Sequence, residues 1–92
     1  MKGLTVFHLT NCPYCINAKK ALAQLCGDKP QYADIPIEWI EESEEPERTN
    51  GYDYYYVPSF FLGKEKLYEA HPGESYEECL ENVRGCLEKA LA

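Results

Sequence analysis

This chain is short of positive charge, of long apolar runs and of repetition, and each shortage removes a class of function. Nine lysines and arginines stand against sixteen aspartates and glutamates, for a formal net charge of -7 at pH 7. Nucleic-acid binding draws much of its affinity from basic side chains that neutralise phosphates, so DNA, RNA and anionic membranes are poor partners. No apolar stretch approaches the roughly 20 residues that cross a bilayer. The run from Leu4 to Leu9 is interrupted by Thr5 and His8, has no small-residue cleavage site behind it, and reads as a strand rather than an export signal. Repeats and low-complexity linkers are missing too, so residues 1–92 are expected to form one domain with a radius of gyration of about 12 Å. Five cysteines are an odd number and cannot all pair within the chain, which argues against a framework of structural disulfides. The expectation is a soluble, monomeric protein of the reducing cytoplasm.

What the sequence does have is Cys12-Pro13-Tyr14-Cys15, two thiols one helical turn apart around a proline that can open a helix. Alone, that spacing fits half a zinc site, an iron-sulfur ligand pair or a redox dithiol. Its context is a strand pattern, Leu4 to Leu9, followed directly by a helix pattern. Tyr14, Ala18, Ala21, Leu22 and Leu25 share one helical face, and Gly27 is placed as a C-cap. Pro13 suits the first helical position, where a missing N–H costs nothing. Cys12 is thereby expected at the N-cap, facing unpaired N–H groups and the positive end of the macrodipole, a setting that favours the nucleophilic thiolate. Cys15, one turn further in and more shielded, is expected to act as the resolving thiol.

Beyond the first helix, Ile37, Trp39 and Ile40 mark a second strand, and Ser43 to Asn50, closed by Gly51, a short helix. Val57 to Leu62 and Lys66 to Ala70 form a hairpin around Gly63-Lys64-Glu65. Tyr76, Leu80, Val83, Leu87, Ala90 and Leu91 repeat at helical spacing behind a start signal, Ser75 with Glu78. The predicted order is β-α-β-(α)-β-β-α. The glutamates between Glu38 and Glu47 read as a solvated acidic loop that disfavours acidic substrates. Of Tyr52, Tyr54, Tyr55 and Tyr56, two are expected in the core and two over a loop. His8 reads as a packed or solvent-facing residue rather than a base for Cys12. Cys26, Cys79 and Cys86 read as small apolar residues, the last two on one helix face about 10.5 Å apart and too far to bridge.

Cys12-Pro13-Tyr14-Cys15 with Ala18-Lys19, followed in order by Val57-Pro58, resembles the glutaredoxins of the thioredoxin superfamily. The resemblance implies an α/β chain with the thioredoxin fold, a four-stranded mixed sheet flanked by helices. It also implies thiol-disulfide exchange, with Cys12 attacking and Cys15 releasing the mixed disulfide. A cis bond at Pro58 and a substrate surface of Pro13, Tyr14, Val57, Pro58 and Gly73 are implied as well. Where glutaredoxins carry a lysine, a threonine and a Gly-Gly-acid motif for glutathione, this chain has Leu9, Tyr56 and His71-Pro72-Gly73-Glu74-Ser75. The single glycine and Ser59 are closer to thioredoxin. The implied function is reduction of protein disulfides or glutathione mixed disulfides, with glutathione as co-substrate and no tightly bound cofactor. Its implied partners are a disulfide-containing protein or small thiol and a reductase system, either glutathione or thioredoxin reductase. Two alternatives stand beside it: a thioredoxin-like reductase that does not use glutathione, and an iron-sulfur or metal carrier. The carrier would need ligands from a second chain or from glutathione, because a closed zinc site takes four.

Overall fold

Five residues, Leu4–His8, make the central strand β1 because apolar and β-branched side chains can be buried on both faces of a covered sheet. Leu4 and Val6 point to one face and Phe7 to the other. The computed structural model describes residues 2–92. After β1 come α1 (Pro13–Asp28), β2 (Ile37–Glu41), β3 (Ser59–Leu62), β4 (Glu65–Glu69) and α2 (Tyr76–Leu91). The strands lie in the order β2-β1-β3-β4. β1 and β2 are parallel, as the intervening α1 crossover requires, and the other two pairs are antiparallel. The radius of gyration is 12.2 Å. Among the described residues, no helix is long and apolar enough to cross a membrane.

Both helices pack on one face of the sheet. Ala18, Ala21 and Leu25 of α1 and Val83, Leu87 and Ala90 of α2 meet Leu4, Val6, Phe60 and Tyr68. On the opposite face Phe7, Ile40 and Phe61 are covered by Tyr52, Tyr54 and Val57 from the loop before β3. Phe7 stacks on Tyr54 with centroids 5.0 Å apart and meets Tyr52 edge-on at 4.8 Å. Tyr55 and Tyr56 stay exposed. Cys79 and Cys86 are buried in the helical core, where burial raises both thiols.

Several local expectations need correction. Gly27 does not cap α1; the helix runs on to Asp28, and the N–H of the cap residue Lys29 donates to Leu25 O at 2.9 Å. Pro30 is what stops it, since a residue before proline is pushed out of helical geometry. A 3-10 turn at Pro30–Asp34 follows, burying Tyr32 and Ile35. In place of a helix over 43–50 there is a 3-10 turn of four residues, Pro46–Thr49. The N–H groups of Glu44 and Glu45 both turn back to Glu41 O, and Pro46 has none to offer. β3 begins at Ser59 rather than Val57 because Pro58 cannot donate to the ladder. β4 starts one residue earlier than expected and ends at Glu69, leaving a turn at Gly63-Lys64 with Gly63 at φ 62°. The capping box is present: Glu78 N donates to Ser75 Oγ at 3.1 Å and Ser75 N to Glu78 Oε1 at 3.4 Å.

Candidate dithiol site

β1 ends at His8, and four residues carry the chain across to α1. Cys12 takes the N-cap with extended backbone angles, and Pro13 opens the helix. The Cys12 N–H donates to Leu9 O at 3.2 Å, while its carbonyl accepts from Ile16 N at 3.0 Å. Its side chain caps no backbone N–H, which leaves the sulfur half-exposed at the positive end of the helix. That S–H donates to Val57 O at 3.7 Å. Cys15 is 1% exposed and its sulfur accepts the Leu9 N–H at 3.4 Å. Burial pushes the Cys15 thiol up to about 12, and the neighbouring Cys12 adds to this against the Leu9 N–H and the Lys19 charge. The two thiols are therefore unequal, one reachable and one held protonated.

A second wall comes from the loop that covers the aromatic face. The Val57–Pro58 peptide is cis, Pro58 is buried, and its carbonyl takes the Ala70 N–H at 3.0 Å. Ser59 Oγ donates to Tyr56 O at 2.6 Å. Glu69 Oε2 accepts the N–H groups of Tyr55 and Tyr56, each at 2.6 Å, and Lys66 binds its other oxygen at 2.7 Å. Burial works to raise that carboxyl, but Lys66 and the two N–H donors hold it below its ordinary value.

On the helix side the loop before Cys12 is tied in a similar way. Glu41 Oε1 accepts both the N–H and the hydroxyl of Thr10 at 2.6 Å, and Oε2 accepts from Ser43 N at 3.1 Å and Ser43 Oγ at 2.7 Å. The hydroxyls of Thr10 and Ser43, with their backbone N–H groups, hold the Glu41 carboxyl down to about 2. Arg48 reaches Glu38 and Glu45, so the acidic stretch is partly neutralised from within.

The residues singled out in the sequence divide into two sets. Cys12, Pro13, Cys15, Val57 and Pro58 converge on one rim. Tyr14 and Gly73 are bonded to each other, the Gly73 N–H donating to Tyr14 Oη at 2.7 Å with Gly73 at φ 91°. This glycine N–H is thus already taken. Sequence reasoning singled out Leu9 only as a departure from the glutaredoxins and missed Ile16; with Tyr55 and Tyr56 these are the large apolar side chains exposed among the described residues. Ile16 carried a signal, since it lies off the buried stripe of α1. Leu9 follows the last residue of β1 and carries the N–H that meets Cys15. Among the described residues, no three or more histidines, cysteines, aspartates or glutamates are grouped to hold a metal ion.

No protein-family model and no curated protein sequence matches the chain. Solved structures do. A designed protein is 25% identical with a TM-score of 0.59, aligned over 98% of this chain and 76% of its own. The first two thioredoxin domains of Saccharomyces cerevisiae Eps1p align with a TM-score of 0.52 and 14% identity, over 90% of this chain. The chain spans 34% of that two-domain structure. Oxidized glutaredoxin 2 from Chlamydomonas reinhardtii, 23% identical over 98% of this chain and 79% of its own, aligns with a TM-score of 0.49. With its four-stranded mixed sheet, crossover helix and closing hairpin and helix, the chain has the thioredoxin fold.

Proposed function

We propose that the protein is a thiol-disulfide oxidoreductase whose reacting groups are Cys12 and Cys15. The observation that carries this reading is the inequality of the two thiols: Cys12 is half-exposed at a helix N-terminus and Cys15 is buried behind it. The Cys12 sulfur attacks one sulfur of a substrate disulfide, forms a mixed disulfide and expels the other half as a thiolate. Cys15 then attacks the Cys12 sulfur, releasing the bound half and leaving a Cys12–Cys15 disulfide. An external thiol or reductase returns both to thiols. The Val57 carbonyl, within 3.7 Å of Cys12, sits where an extended substrate backbone pairs with the loop.

A second, narrower reading prefers polypeptide disulfides to glutathione mixed disulfides. It is supported by Leu9, Ile16, Tyr55 and Tyr56, which expose apolar area beside the thiol, and by Leu9 and Tyr56 standing where glutathione-binding lysine and threonine are found in glutaredoxins. The net charge of -7 works in the same direction by repelling an anionic tripeptide. Two assays test both levels, with Cys12→Ser as the blank: insulin reduction with dithiothreitol, and NADPH-coupled turnover of a small mixed disulfide with glutathione and glutathione reductase. Cys12-dependent insulin reduction is expected, and signal that persists in Cys12→Ser overturns the dithiol assignment. Faster turnover in the glutathione assay overturns the preference for polypeptides.

A further inference from the structure

Separate parts of the chain bring exposed apolar side chains to the half-exposed Cys12. Leu9 O accepts the Cys12 N–H at 3.2 Å, and Ile16 N donates to Cys12 O at 3.0 Å. Val57 O lies 3.7 Å from the Cys12 sulfur, which puts the Tyr56 Cα within about 10 Å of that sulfur. Leu9, Ile16 and Tyr56 are all exposed, and Tyr55 is 90% exposed. A ring as open as Tyr55 buries little area in this fold, yet its backbone is fixed, because its N–H and that of Tyr56 both donate to Glu69. An aromatic face held in water attracts cations. The same loop already makes that contact: Lys64 Nζ lies 3.8 Å from the centroid of the Tyr52 ring.

The strand order places β4, which holds Tyr55 and Tyr56 through Glu69, and β2 at opposite edges, with the loop that follows β1 between them. Past the end of β2 the chain turns through Glu42, Glu44, Glu45 and Glu47, and this turn is bonded to the approach to Cys12. Glu42 N donates to His8 O at 3.1 Å, and Thr10 Oγ1 donates to Glu41 Oε1 at 2.6 Å. Arg48 pairs with Glu38 and Glu45, but among the described residues no cation pairs with Glu42, Glu44 or Glu47. Other lysines are engaged elsewhere, Lys66 by Glu69 and Lys19 over Trp39. Unpaired carboxylates on one flank of the thiol, exposed rings on the other and apolar side chains between them all favour one kind of partner.

We propose that the substrate at this rim is a basic polypeptide, in which the disulfide-bonded cysteine stands beside an apolar residue and between arginines or lysines. The inference rests on the dithiol reading and narrows its polypeptide preference to one charge class. The apolar neighbour packs on Leu9 and Ile16, one cation lies over Tyr55 or Tyr56, and another faces Glu42, Glu44 and Glu47. Arginine suits both flanks, because a planar guanidinium stacks on a ring and forks onto a carboxylate. The net charge of -7 acts with the same sign at longer range, drawing basic segments toward the thiol and repelling acidic ones.

Three synthetic peptides test this, each with one cysteine held as a mixed disulfide with thionitrobenzoate and flanked by arginines, by neutral citrullines or by glutamates. Cys12 attacks the peptide sulfur and expels coloured thionitrobenzoate, and Cys15 then displaces the peptide as a thiol. Each second-order rate is divided by that of the same peptide with 2-mercaptoethanol, which removes differences in intrinsic reactivity. At about 20 mM salt the arginine peptide should react about tenfold or more faster than the glutamate peptide, with citrulline between, and the ratio should shrink severalfold at about 0.5 M salt. Replacing Glu42, Glu44 and Glu47 together by glutamine should remove most of the salt-sensitive part of the arginine advantage over citrulline. Tyr55→Ala should lower that advantage by about two- to fivefold at either salt concentration. An arginine peptide no faster than citrulline overturns the inference without any variant, and an advantage unchanged in the triple glutamine variant overturns the role of the turn. Release from every peptide that is no faster in the wild type than in Cys12→Ser overturns the dithiol reading itself, whereas Cys12-dependent release without charge preference overturns this inference alone.

Discussion

The two faces of the sheet are built by different means. On the helix side, α1 and α2 bring alanines, leucines and valines at regular spacing against Leu4, Val6 and Phe60. On the other side a loop supplies Tyr52, Tyr54 and Val57 to cover Phe7, Ile40 and Phe61, with no helix. Many small contacts spread over two long elements hold the first face. A few large rings hold the second, with Tyr52 edge-on to Phe61 at 4.9 Å and Phe7 edge-on to Phe61 at 5.8 Å. The candidate site lies where they meet. Cys12 and Cys15 come from the helix side and Val57-Pro58 from the aromatic side, so each face positions one half of the candidate site.

Truncating one residue in each core separates the two contributions. Phe61→Ala should cost about 3 to 5 kcal/mol and Leu87→Ala about 2 to 5 kcal/mol in urea unfolding, because both side chains are fully buried. Their effects on catalysis should differ. Val57 packs against the cluster that holds Phe61, so the loss of Phe61 should also lower insulin reduction per folded molecule, whereas Leu87 lies in the helical core, which does not include Val57. Equal loss of specific activity in the two variants would break the division between faces.

The helix side was the legible one. Ala18, Ala21 and Leu25 announce their face by spacing, Pro13 and Ser75 with Glu78 mark the starts of the helices, and the dithiol follows a strand directly. These signals are local, and the structure places Cys12 at the N-cap, as expected from them. The aromatic side obeys no period. Tyr52 and Tyr54 are buried against Phe7 while Tyr55 and Tyr56 face solvent, and only the path of the loop decides which pair goes where. The two glutamates that fix the site were equally hidden, since Glu41 meets Thr10 across 31 residues and Glu69 meets Tyr55 across 14. Gly27 misled because glycine favours helix ends, yet Pro30 sets this one.

Glu69 offers a smaller test of the aromatic side. Its carboxylate holds two consecutive N–H groups immediately before Val57, so Glu69→Ala releases Tyr55 and Tyr56 from β4. Hydrogen bonds to a charged acceptor on a partly solvated loop should make the cost about 1 kcal/mol in urea unfolding. The more telling readout is kinetic. A looser loop should raise KM for insulin while leaving the rate at which Cys12 reacts with 5,5′-dithiobis(2-nitrobenzoate) close to wild type, because that small reagent needs no backbone pairing. An unchanged KM would show that the loop presents no substrate surface.

Glu41 is the matching tie on the helix side, and its signature is pH dependence. The folded carboxyl is held down to about 2, below the ordinary carboxylate value near 4.5 of an unfolded chain. A depressed folded pKa means that the unfolded state binds the proton first as pH falls. The tie is therefore fully present above about pH 5 and is lost progressively between about 4.5 and 2. Glu41→Gln removes the titrating group but keeps the shape. The difference in melting temperature between wild type and variant should be constant from pH 7 to 5 and should shrink toward pH 2.5, measured by circular dichroism. Glu69 and every other carboxyl titrate in both proteins, so they cancel in that difference. A gap that stays constant down to pH 2.5 would mean that Thr10 and Ser43 are held by shape alone, and the loop before Cys12 would then owe nothing to the Glu41 charge.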